Sequence, residues 1–73
     1  MRATIYIDTI EDFYKVRQMA DLASIPSFPA RNMEMMKEKY YDKPNLHIEG
    51  RPTMIRSFME KVRKEGFYVR EDK

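Results

Sequence analysis

The sequence predicts an α/β fold, a two-layer sandwich in the order β-α-α-β-α-β whose three-stranded sheet carries its helices on one face. Three observations predict it. Ala3-Thr4-Ile5-Tyr6-Ile7, Leu46-His47-Ile48-Glu49 and Phe67-Tyr68-Val69-Arg70 alternate in the period-two pattern of strands. The segments between them place apolar residues at three- and four-residue steps, the pattern of amphipathic helices. The alternation itself decides the number of layers, because a parallel strand covered on both faces reads as continuously apolar and none of these does. Each strand pair encloses at least one helix, so right-handed crossovers and parallel neighbours are expected wherever consecutive strands lie side by side.

The elements follow in order. The first strand stops at Asp8-Thr9, either of which can cap a helix: Glu11 follows Asp8 by three places and Asp12 follows Thr9 by three, both resembling a capping box. Ile10, Phe13, Val16, Ala20 and Ala23, with Met19 beside them, then form one apolar stripe. This helix should end by Ser24. Pro26 and Pro29 disfavour helical backbone at the residues before them, so Ile25 to Phe28 reads as a turn. Pro29 suits the first position of a second helix, where its missing N–H costs nothing. On that helix Met33, Met36 and Tyr40 fall within about 60 degrees of one another and serve as core filler, whereas Met35 points away and Tyr41 lies at the border. Asp42-Lys43-Pro44-Asn45 breaks the helix and leads to the second strand, closed by Gly50. Pro52 starts a third helix with the cleanest stripe in the chain: Ile55, Phe58, Met59 and Val62. Gly66 supplies its left-handed exit. After the last strand, Glu71-Asp72-Lys73 reads as a charged tail.

Length and composition narrow the functional classes. Seventy-three residues make a single domain spanning 1–73, close to the size below which one core rarely suffices. At roughly 1.5 kcal/mol of ordering cost per residue, burial must offset on the order of 100 kcal/mol, and a protein partner or a second copy in a homodimer could supply part of it. The chain contains no cysteine, which points to a reducing, cytoplasmic location rather than secretion. An acid at Asp8 interrupts the first apolar run too early for a signal peptide, and no apolar stretch approaches the roughly 20 residues of a membrane span. Fourteen Lys and Arg against twelve Asp and Glu leave a net charge of +2, with the signs interleaved, a weak footprint for a duplex-binding domain.

Catalytic motifs are scarce. The chain has one histidine, and Ser24, Ser27 and Ser57 sit in no nucleophile motif. His47 and Glu49, two apart on a strand, share a face and would permit a carboxylate-oriented base, but they provide two metal ligands where structural zinc needs four. With Gly50 and Gly66 as the only glycines, no glycine-rich phosphate loop can form. Neither enzymatic activity, a metal nor a cofactor is therefore expected. Gly50-Arg51-Pro52-Thr53 precedes a helix, which makes Arg51 and Arg56 candidates for holding an anion.

The predicted sheet leaves one face open. It would carry Thr4, Tyr6, His47, Glu49, Tyr68 and Arg70, side chains that combine apolar area with hydrogen-bonding tips. Tyr6, His47, Tyr68 and Arg70, with Met35 and Tyr41 from the second helix, are the candidate partner-binding residues. Such a face suits protein docking or single-stranded nucleic acid. The low net charge and Glu49 favour protein, since a carboxylate repels phosphate. A rival architecture is a winged helix in which residues 52–65 form a DNA-recognition helix through Arg56, Arg63 and Lys64. No family motif covers the chain. Its element order is broadly similar to that of barstar-like inhibitors, and no functional residue is carried over from that likeness. The expected function is that of a small non-enzymatic binding protein, such as a virus-encoded inhibitor or adaptor of a host complex.

Overall fold

The computed structural model describes residues 1–29 and 45–72. In chain order the elements are β1 (Arg2–Tyr6), α1 (Ile10–Leu22), β2 (Ser27–Pro29), β3 (Leu46–Glu49), α2 (Pro52–Lys64) and β4 (Tyr68–Asp72). The predicted second helix beyond Pro29, including Met35 and Tyr41, lies outside the described residues.

The α/β class is as the alternation implied, but the sheet has four strands rather than three, in the order β2-β3-β1-β4. The added strand is Ser27–Pro29, which takes the end of the expected turn, Ser27 and Phe28, together with Pro29, the residue expected to start the second helix. Pro29 does not prevent this, because β2 is short and occupies the outermost position of the sheet, where a missing N–H removes no ladder bond. Every pairing in the sheet is antiparallel. The expected parallel neighbours do not occur because the two strands that each described helix joins never sit side by side, while β2 and β3, adjacent in both chain and sheet, pair antiparallel. β3 separates β1 from β2, and β1 separates β3 from β4. Each helix thus joins two strands that run in the same direction with an opposed strand between them, the split β-α-β connectivity. The four-strand antiparallel sheet also removes the likeness of element order to barstar-like inhibitors, which rested on three strands.

The helices pack on one sheet face, as the alternation required. Ala3, Ile5, Leu46, Ile48 and Val69 from the strands are buried against Phe13, Val16 and Ala20 of α1 and Ile55, Phe58, Met59 and Val62 of α2. Helix 52–64 is therefore a core element whose apolar stripe faces the sheet, and β4 pairs with β1 rather than forming a wing. This four-stranded antiparallel sheet differs from the winged-helix layout. Thr9, not Asp8, caps α1: its hydroxyl accepts the Asp12 N–H at 3.2 Å.

Both helices end in the same six-residue hydrogen-bond pattern. In α2, Gly66 takes φ 97° while the Phe67 N–H bonds the Val62 carbonyl and the Gly66 N–H bonds that of Arg63. In α1, Ser24 occupies the equivalent left-handed position at φ 57°, with Ile25 bonded back to Ala20 and Ser24 to Asp21. The pattern turns the chain sharply and directs the following apolar residue, Ile25 or Phe67, toward the core. Ile25 then leads directly into β2. At the C-terminal end, Glu71 and Asp72 are not a tail but the end of β4, opposite Ala3 and Arg2.

Candidate functional site

The register determines which side chains share the open face. In an antiparallel pair, residues directly opposite project to the same side. Phe28 lies opposite His47, His47 opposite Thr4, and Thr4 opposite Arg70, one lateral row across all four strands. Toward one end of the sheet, Tyr6 lies opposite Tyr68. Toward the other, Arg2 lies between Glu49 and Asp72. The predicted residues Tyr6, His47, Tyr68 and Arg70 are therefore brought together.

Their contacts form two groups. At the β1–β4 end the Tyr6 and Tyr68 rings sit 5.3 Å apart with a 51° tilt, and the Arg70 guanidinium lies 5.6 Å from the centre of the Tyr6 ring. A quadrupolar ring favours a tilted neighbour and a cation over its face, so Tyr6 is held by both. Tyr68 is left 66 % exposed. In the middle of the sheet, the Thr4 hydroxyl lies 2.7 Å from Asp72 Oδ2 and 2.9 Å from His47 Nδ1. Thr4 is only 4 % exposed although it belongs to the open face, because these neighbours cover it. Asp72 also receives Arg70 at 3.5 Å, which links the two groups. The face is electrically balanced, with the guanidinium groups of Arg2 and Arg70 matched by the carboxylates of Glu49 and Asp72.

Phe28 and Asp72 were not anticipated as part of this surface. Phe28 fell in an expected turn and Asp72 in an expected tail. The signal for Asp72 was its spacing: two residues beyond Arg70 it must share Arg70's face if the strand continues. No comparable signal placed Phe28, whose neighbour His47 is known only once β2 is paired.

The candidate anion residues are placed apart from this face. Arg51 is the N-cap of α2 and makes no side-chain capping bond, and Arg56 lies one turn further; both are exposed. Arg63, which the recognition-helix reading aimed at DNA, donates from its guanidinium to the Val69 carbonyl at 3.3 Å. Among the described residues no three His, Asp or Glu side chains group together as metal ligands. No helix among them is long and apolar enough to cross a membrane.

Connectivity and site together define a small split β-α-β domain with a mixed aromatic and polar sheet surface. The chain matches no family model, no curated protein and no solved structure in the comparisons made.

Proposed function

We propose that this chain is a non-catalytic, cytoplasmic binding protein, an inhibitor or adaptor, that docks a protein partner on the open sheet face. The observation that carries the reading is the union of three aromatic rings, Tyr6, Tyr68 and Phe28, with His47 and a balanced set of charges on one surface. Rings of this kind supply large contact area at low entropic cost, and tyrosine and arginine dominate the energetics of protein interfaces. Equal numbers of cations and anions offer little attraction to a phosphate backbone, whose binding depends on counterion release. Arg70 is engaged with Tyr6 and Asp72, which further reduces the charge available to phosphate.

The test is capture of partner from the native cell by tagged protein, with and without nuclease, and in rising salt. A defined protein should be retained after nuclease treatment and over a wide salt range, and Tyr68→Ala should release it. Recovery of nucleic acid alone, with steep loss in salt, would establish the competing nucleic-acid reading instead.

A further inference from the structure

We infer that Thr4 and Asp72 are positioning residues that fix His47 as a hydrogen-bond acceptor, and that the partner surface seated over β3 presents a cationic N–H donor, an arginine or lysine side chain. The inference rests on the docking reading and names the partner's chemistry at that face.

One proton decides the arrangement. The Thr4 hydroxyl carries a single hydrogen and lies within bonding distance of two atoms, Asp72 Oδ2 at 2.7 Å and His47 Nδ1 at 2.9 Å. A carboxylate only accepts, so the hydroxyl proton belongs to Asp72. The hydroxyl oxygen must then accept from His47, which places a hydrogen on Nδ1. Two facing lone pairs would result from the opposite arrangement. A neutral imidazole has one N–H, so Nε2 keeps its lone pair. Nδ1 lies 3.9 Å from Asp72 Oδ2, too far for a direct bond, so Thr4 is the necessary link.

Nε2 is then the acceptor left for a ligand. Among the described residues no hydrogen bond reaches it, and the side chain is 27 % exposed. Glu49 follows two residues along β3, about 6.6 Å away on the same face at about 3.3 Å per residue. It is exposed, and although Arg2 lies opposite, no ion pair within 4 Å joins them among the described residues. An imidazole lone pair beside a carboxylate gives two neighbouring acceptors, which match a guanidinium or ammonium group and oppose a phosphate.

His47 is the only histidine, so its ring nitrogen signals in a nitrogen-15 NMR spectrum are unambiguous. Recorded with the ring neutral, they should show hydrogen on Nδ1. Thr4→Val should shift the hydrogen to Nε2; Asp72→Ala should do the same by releasing the Thr4 hydroxyl to donate to the ring, and serves if Thr4→Val does not fold. An arginine-rich peptide should then move the His47 and Glu49 side-chain signals, with affinity falling about tenfold in Thr4→Val, the equivalent of one charge-assisted hydrogen bond. A glutamate-rich peptide of equal length should leave them unmoved. Hydrogen on Nε2 in the unaltered protein overturns the positioning role. A response to the glutamate peptide, or to neither, overturns the partner assignment. Failure of Tyr68→Ala to release a captured protein would instead count against the docking reading and leave the ring assignment standing.

Discussion

A hydroxyl at the centre of a nominally wet sheet face is the residue on which the most chemistry converges. Thr4 joins β3 to β4 through its own side chain, and the Asp72 end of that bond is charged. Thr4→Val keeps the shape and removes the link, and should lower unfolding free energy by about 1.5 kcal/mol, readable as a lower midpoint in urea. A more stable valine variant would mean that strand propensity outweighs the bond. Tyr68 behaves differently, being largely exposed and paired only through its ring. Tyr68→Ala should cost about 1 kcal/mol while abolishing capture, a separation between stability and function that circular dichroism and binding read independently. At this scale the sequence was half legible. Parity along each strand placed Tyr6, His47, Tyr68 and Arg70 on one side, because side chains alternate whatever their neighbours are. Which of them touch depends on register, and register is a relation between strands that lie more than forty residues apart in sequence.

The two helix ends provide a comparison at the level of elements. Both require a left-handed residue, yet one has glycine and the other serine. A Cβ at Gly66 would meet nothing within 4 Å, so Gly66→Ala tests backbone conformation alone and should cost about 1 kcal/mol. Ser24→Gly removes the corresponding strain at the end of α1 and should raise stability by about 0.5 kcal/mol after the entropy of the added glycine is deducted. Opposite signs in thermal melts are expected. The outer strand β4 poses a different problem, since an open edge invites pairing with another chain. Arg63 sits on the Val69 carbonyl of that strand. Its removal in Arg63→Ala should increase self-association at high concentration, detectable by sedimentation; an unchanged monomer would show that the bond does not guard the edge.

For the whole molecule, the decisive quantity is the narrow margin of a small core. Domains of this size rarely keep more than about 3–5 kcal/mol, and removing a fully buried phenylalanine costs about the same. Phe13, which is entirely enclosed, should therefore be indispensable: Phe13→Ala is expected to lose amide dispersion at room temperature, and a folded variant would reveal reserves beyond this core. What the sequence by itself determined was everything that depends on local periodicity. The strands β1 and β3, the helices α1 and α2, the buried stripes and the identity of the open face follow from periods of 2 and 3.6 that a chain shows without knowing its partners. Only the tertiary structure decided the rest: a strand at Ser27–Pro29, the extension of β4 through Asp72, the antiparallel order and the Asp72–Thr4–His47 chain. These are short segments or single residues whose state is set by hydrogen bonds to distant strands, and three residues that follow one proline and end in another carry too little intrinsic preference to announce a pairing that their neighbours impose.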